Sequence, residues 1–268
     1  MRTVRALCLT LLLLLTPLSL LATPATASDT SVSADTTWSG AVVLTGNVTV
    51  MNGSTLTLSP GTTVDGGDGY WIRVDGTLLA SQTDFFSSQV PLTGGSHGAG
   101  LWTGIYIAAK GHAVLDEVTI QNAKTALKVE GQLSAYKITI EDAYIGVNVF
   151  GSANIESLTA QHIDYEVLRN SGNLNLSTGT FTDIAGGLWS TGMSTVDTVT
   201  ISQAGTGLRS TSGTLSATGI GFIDTTVAIA SQQGASTTVQ SITANNVALL
   251  IDAADSDDLT VSNGAVSG

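Results

Sequence analysis

The chain has 268 residues, of which 11% are charged, with nine Lys and Arg against 21 Asp and Glu, 30 Gly, four Pro and one Cys. Its formal net charge of −12 repels phosphate backbones and anionic headgroups, which argues against nucleic-acid binding and against a polybasic membrane patch. A hydrophobic fraction of 43% excludes intrinsic disorder, and the dominance of Ser, Thr, Gly, Val and Ile over Lys, Glu and Arg favours strands over surface helices.

Residues 1–27 run from a basic start with Arg2 and Arg5, through an apolar stretch from Ala6 to Ala22, to Ala25-Thr26-Ala27 ahead of Ser28. This is the tripartite pattern of a secretory signal, with small residues where signal peptidase cuts, and it predicts cleavage after Ala27 and a secreted or cell-surface product. Pro17 interrupts the apolar run, which argues against an anchor helix, and no later stretch reaches the roughly 20 residues that span a bilayer. Cleavage removes Cys8 with Arg2 and Arg5, leaving seven basic residues against 21 acidic ones, a charge of −14. The mature chain therefore has no disulfide, no Cys-ligated zinc and no thiol nucleophile. Residues 28–37 read as a short N-terminal linker.

From residue 38 the chain is organised by a repeat. Val118-Thr-Ile-Gln-Asn-Ala and Ile138-Thr-Ile-Glu-Asp-Ala match at a spacing of 20, and an apolar or small anchor recurs at Ile120, Ile140, Ala160, Phe181, Ile201, Phe222 and Ala244. Seven residues after each anchor stands a second aliphatic: Leu127, Val147, Val167, Leu188, Leu208, Ile229 and Ile251. Two residues after the first anchor comes a polar column of Asn122, Asp142, His162, Asp183, Gln203, Asp224 and Asn246. Alternation such as Val118/Ile120 and Val199/Ile201 has the period of two that a half-buried strand requires, and Gly131, Gly151, Gly172, Gly192, Gly213 and Gly234 mark tight corners. Between 87 and 101 the frame breaks into a Gly- and Pro-rich loop excursion whose one reactive group is His97.

A unit of about 21 residues cannot bury its own apolar face, so neighbouring copies must supply burial and backbone pairing. Successive coils stacked at about 4.8 Å do so. A leucine-rich repeat shares the period, but here β-branched residues replace Leu and no helix former dominates the return.

Coils of 20–22 residues with inward aliphatics and a stacked polar ladder at a corner resemble the right-handed single-stranded parallel β-helix, the pectate-lyase-like fold. Val43-Leu-Thr-Gly-Asn-Val-Thr-Val50, Leu56-Thr-Leu-Ser-Pro-Gly-Thr-Thr-Val64, Ile72-Arg-Val-Asp-Gly-Thr-Leu-Leu-Ala80, Phe85 and Trp102-Thr-Gly-Ile105 resemble the opening coils of secreted and cell-surface β-helix proteins of bacteria and archaea. The resemblance covers residues 38–268 and implies an all-β solenoid outside the cell. It implies no activity, because the same coils serve adhesins, enzymes and passive surface proteins.

Lyases of this fold use a basic residue with acidic residues around calcium, and the related hydrolases use clustered Asp with His, Arg and Lys. None of the basic residues Arg73, Lys110, Lys124, Lys128, Lys137, Arg169 and Arg209 lies in a match to those enzymes' motifs, so no catalytic residue and no cofactor is assigned. The densest polar patch lies on three consecutive coils and contains Lys124, Tyr144, Asp164 and Glu166, with Lys124, Tyr144 and Asp164 in one column and Gln121, Glu141 and Gln161 in another. These four are the ligand-binding candidates, Tyr144 serving as a stacking platform for a sugar; the alternative is a solvated face with pairs such as Lys124 to Glu141. His162 stands in the polar column and reads as a structural hydrogen-bonding residue. Asp255, Asp257 and Asp258 form the one acidic run and the only calcium candidate, although their spacing matches no known calcium loop. Val261-Ser-Asn263-Gly264 reads in the frame of Ile120 to Ala123, which leaves the last coil incomplete, its open end being a truncated reading frame, a surface where another protein docks, or a defect the protein tolerates.

The expectation is an exported, non-catalytic β-helix that acts as a surface scaffold or adhesin and meets an extracellular glycan or cell-surface polymer through its lateral face. The alternatives are a polysaccharide lyase or glycoside hydrolase of the pectate-lyase-like superfamily, and an N-terminal fragment of a longer surface protein.

Overall fold

The computed structural model describes residues 25–27, 29–88, 101–232, 234–254 and 258–267. The leader up to residue 24, the cleavage-site Ser28, the loop with His97, and the calcium candidates Asp255 and Asp257 lie outside the described residues. Among the described residues twenty-two strands, every one paired in parallel, wind into a β-solenoid of about 11 turns. The fold is all-β, and no helix among the described residues is long and apolar enough to cross a membrane.

Each coil presents three faces. In the opening coils they are separate short strands, such as Ala41–Leu44, Val48–Val50 and Thr55–Leu58. Further along, faces fuse across the corners into longer strands, two in Gln132–Ala143 and all three in Ser152–Asn170 and Asn173–Ser190. One corner that allows this is the polar column. Asn122, Asp142, His162, Asp183, Gln203, Asp224 and Asn246 all adopt left-handed backbone, with φ between 50° and 58°. A single such residue bends the strand without breaking its ladder, and Asn and Asp accept the conformation better than other side-chain-bearing residues do. Their side chains also bond along the column, Asn246 Nδ2 donating to Asp224 Oδ1 at 2.6 Å and His162 Nδ1 lying 3.2 Å from Asp142 Oδ1.

The glycine column closes the opposite corner for a different reason. Gly131, Gly151, Gly172, Gly192 and Gly213 stack so closely that a Cβ on any of them would fall 2.2–2.3 Å from a carbonyl oxygen of the coil below. Close approach of backbones, not turn conformation alone, therefore excludes a side chain here.

The anchor column is continuous from Ile120 to Ala244, each member paired with the next. The second column departs from the sequence expectation at one point. Val147 pairs with Leu168, not Val167, and Leu168 with Leu188. The cause is one extra residue in that coil, which shifts the frame by a position and leaves Val167 and Leu168 both fully buried. A second correction concerns the last coil: Val266, not Val261, pairs with Ala244, and Asn263 follows the corner of Ser241, because that coil is 22 residues long.

At the other end, Thr30–Val32 and Thr36–Trp38 pair with Val48–Val50 and with residues of Thr55–Leu58, so half of the segment expected as a linker is paired into the solenoid. Three-residue strands of Thr, Ser, Val and Trp carry too little alternation to be read as strands. Ala25–Ala27 pair with Val42–Leu44. The core is one continuous apolar cluster from Val32 to Ile242, with Phe85 and Trp102 stacked in it, ring centroids 6.3 Å apart.

Candidate functional site

The extra residue in strand Ser152–Asn170 builds the most distinctive site on the surface. Ala143 pairs with Ile163 and Val147 with Leu168 on one side; Ile163 pairs with Ile184 and Glu166 with Gly186 on the other. Relative to both neighbours, one residue is surplus between Ile163 and Glu166, which is a β-bulge. Two consequences follow. Tyr165 lies flat against Tyr144 of the preceding coil, centroids 5.5 Å apart and planes 6° from parallel. Glu166 is carried into the wall of the solenoid, where it is 6% exposed.

Glu166 faces a glycine. A Cβ on Gly186 would lie 3.2 Å from Glu166 Cγ and 3.2 Å from the Tyr165 carbonyl oxygen, so the missing side chain leaves space. That space is a cavity of about 160 Å³ lined by Tyr165, Glu166, Gly186, Trp189, Thr206 and Arg209. Glu166 lines this cavity, and its Oε2 is fully buried with no hydrogen-bond partner among the described residues. Burial pushes its carboxyl up to about 7, against the opposing pull of Arg169 and Arg209. A carboxyl that is half protonated near neutral pH can donate or accept a hydrogen bond.

The arginines belong to a longer pattern. Arg73, Tyr106, Lys128, Asn148, Arg169, Trp189 and Arg209 pair in unbroken succession, one per coil, on a single outward column. Four of the seven basic residues beyond residue 27 thus stand in one line, with two aromatic residues between them. Arg73 lies 4.8 Å and Lys128 4.4 Å from the Tyr106 ring centroid, and Arg169 lies 4.6 Å from that of Trp189. Such contacts contribute about 0.5–1 kcal/mol each at exposed positions.

The two ends of the column differ in charge. At the lower end Arg73 pairs with Asp75 at 2.7 Å and Lys128 with Glu130 at 2.8 Å. The Arg73 hydrogen bond holds Asp75 below the usual carboxylate range, and Lys128, then the Tyr106 hydroxyl, do the same for Glu130. At the upper end Arg169 and Arg209 form no ion pair among the described residues, and burial keeps Glu166 between them only about half ionised near pH 7. The upper end is therefore a local positive site on an acidic protein.

Of the four candidates expected from the sequence, Tyr144 and Glu166 are brought together with Tyr165, while Lys124 is exposed on the coil below. Asp164 occupies the bulge, partly exposed. Gln121, not Lys124, reaches Glu141, its Nε2 donating to Oε2 at 2.7 Å. His162 lies between Asp142 and Asp183, 3.2 Å and 3.6 Å away, in the role expected for it. Asp258, the one described calcium candidate, begins the exposed final strand, and no cluster of three His, Cys, Asp or Glu residues among the described ones could hold a metal.

The sequence reading missed Gly186, Trp189 and Arg209. The signal was present: Arg73, Tyr106, Lys128, Arg169, Trp189 and Arg209 each directly follow an inward aliphatic of the second column. Placing Val167 in that column hid the alignment of Arg169.

The fold and this site define a parallel β-solenoid with a positively charged, aromatic-lined recess on one lateral face. No protein-family model matches the sequence, and no curated protein matches it. Among solved structures it is similar to PfbA, a surface adhesin of Streptococcus pneumoniae, at 8% identity and a TM-score of 0.34, over 86% of this chain and 83% of that one. It is also similar to a mutant of the periplasmic alginate epimerase AlgG, at 6% identity and a TM-score of 0.26, over 87% of this chain and 76% of that one.

Proposed function

We propose that the protein is an exported, non-catalytic β-helix of the pectate-lyase-like type that acts as a surface scaffold or adhesin and binds an extracellular glycan on its lateral face. The observation that carries this reading is the recess at the bulge. It combines Trp189 and Tyr165, whose flat faces suit sugar rings, with the hydrogen-bonding groups of Glu166, Thr206 and Arg209. The leader-like segment 1–27 supports export. Scarcity of catalytic groups supports a binding role: among the described residues Glu166 is the only carboxylate lining the recess, whereas glycoside hydrolysis uses two.

The purified chain is tested on an array of extracellular polysaccharides. Binding that Gly186→Val abolishes, by filling the recess, is the expected result; no binding to any glycan sinks the reading. Mass spectrometry of the exported protein checks the start at Ser28.

A second reading, a polysaccharide lyase or hydrolase, is favoured by one feature, a buried carboxyl pushed up to about 7 beside two arginines, as suits a general acid or base. Release of unsaturated or reducing sugar ends, lost in Glu166→Ala, would establish it in place of the first. Inactivity across a broad polysaccharide panel would remove it.

A further inference from the structure

We propose that Tyr144 and Tyr165 form an oxidative cross-linking site, at which hydrogen peroxide delivered by a haem peroxidase joins the two rings as dityrosine and staples the bulge coil to the coil below it. The inference is independent of any glycan in the recess.

The pair exists because of the bulge. Without the surplus residue Asp164 would stand opposite Tyr144, as the repeat frame places it; with it, Tyr165 lies against Tyr144 instead. The two side chains leave neighbouring coils that run in the same direction, so their rings rest like on like, planes 6° from parallel and centroids 5.5 Å apart. That separation is little more than the spacing of about 4.8 Å between paired strands, and the rings are stacked with an offset, not edge to face. A slide of one ring over the other brings matching carbons into contact. Tyr144 is 43% exposed and Tyr165 partly exposed, so the pair is open to an oxidant in solution.

The other tyrosines are placed differently. Tyr106 donates its hydroxyl to Glu130 Oε2 at 2.5 Å, and its ring lies beneath Arg73 and Lys128, two cations that oppose removal of an electron from it. Tyr70 packs against the core. Tyr136 is the most open, at 54%, but among the described residues it stacks on no second tyrosine. Exposure alone would therefore select Tyr136, whereas pairing selects Tyr144 and Tyr165.

In the reaction each phenol gives up one electron and its hydroxyl proton, which leaves a phenoxyl radical with spin on the carbons ortho to oxygen. The two radicals combine there in a new C–C bond, and the hydrogens on the joined carbons move to the oxygens, restoring both rings. Hydrogen peroxide takes up the two electrons and two protons and becomes two waters, so the chain loses two hydrogen atoms in all. Holding the partners in contact makes the coupling intramolecular and favours it over encounters between chains. Beyond Cys8 the sequence has no cysteine, and the link gives the solenoid the covalent tie that small secreted domains draw from disulfides.

The test treats the full chain, dilute enough to stay monomeric, with a haem peroxidase and hydrogen peroxide, then digests it and reads the peptides by mass spectrometry. The expected product is a peptide pair joined through Tyr144 and Tyr165, two hydrogens lighter than its parts and carrying the blue fluorescence of dityrosine. Tyr144→Phe and Tyr165→Phe each abolish it, because Phe keeps the stacked ring but forms no phenoxyl radical, and Tyr136→Phe leaves it unchanged. The linked chain unfolds at a denaturant concentration higher by about 1 M urea, a shift absent from oxidised Tyr144→Phe. Cross-links only between molecules through Tyr136, a yield per chain that falls on dilution, dityrosine that persists in Tyr144→Phe, or oxidation without any cross-link would each overturn the proposal.

Discussion

The coils before and after the bulge share one backbone path but differ inside and out. One inward column runs Val50, Val74, Ile107, Val129 and Val149, then continues as Asn170, Ser190, Ser210 and Ser231, all fully buried. In the upper coils the polar groups satisfy one another: Asn170 Nδ2 donates to Ser194 Oγ at 2.8 Å, Ser190 and Ser194 lie 2.7 Å apart, and Ser231 and Thr237 3.0 Å apart. The outward column changes at the same level, from cations paired with Asp75 and Glu130 to Arg169 and Arg209, which form no ion pair among the described residues. Identical stacking thus tolerates an apolar or a polar interior, provided each column is internally consistent. The blocks differ in how their outward cations are matched, while each keeps one buried oxygen without a hydrogen-bond partner among the described residues, Asn148 Oδ1 below and Glu166 Oε2 above.

The sharpest way to break this contrast is to put an upper-block residue in the lower block. Val129→Asn loses the burial of an aliphatic side chain and leaves an amide without partners, and should destabilise the protein by about 3–5 kcal/mol in denaturant unfolding. A cost below about 1 kcal/mol would mean that the two interiors are interchangeable.

Next comes Glu166. Its carboxyl has a higher pKa folded than the usual 4.5, so between about pH 4.5 and 7 the folded chain keeps a proton that the unfolded chain has released. Stability from this group is therefore full below that window and lost as pH rises through it. Glu166→Gln removes the effect: relative to the wild type it gains about 3 kcal/mol between pH 4.5 and 8, read from unfolding curves at the two pH values. A pH-independent difference would contradict the burial of a titrating carboxyl.

Asn170→Ala, which strips partners from Ser194 and from the Met193 carbonyl, should cost about 1–3 kcal/mol by the same measurement. The smallest effect is expected at the paired end of the outward column. Asp75→Asn removes a half-exposed ion pair and should change stability by less than about 1 kcal/mol, diminishing further at high salt.

Much of this architecture was legible in the chain because a column is a sequence period. The anchor column, the left-handed corner from Asn122 to Asn246 and the glycine column all stand where spacing alone placed them. What the period did not carry was any departure from it. The surplus residue after Ile163 displaced Val167 from its expected column, and with it the alignment of Arg169, Trp189 and Arg209. The recess depends on that departure and on the missing side chain of Gly186, neither of which a periodic reading detects. Thr30–Val32 and Thr36–Trp38 escaped for a simpler reason, being too short to alternate.

The bulge also decides which changes in length the chain can absorb. Coils touch only their neighbours, so inserting or deleting a whole coil leaves every column in line. A single-residue change within a paired face shifts everything beyond it by one place and turns inward side chains outward. Between Ile163 and Glu166 that rule is relaxed, because the ladder there already holds a residue without a partner opposite. Loss of one codon at this point would restore a coil of 20 and seal the recess, and its gain would reopen it, with the core downstream keeping its phase.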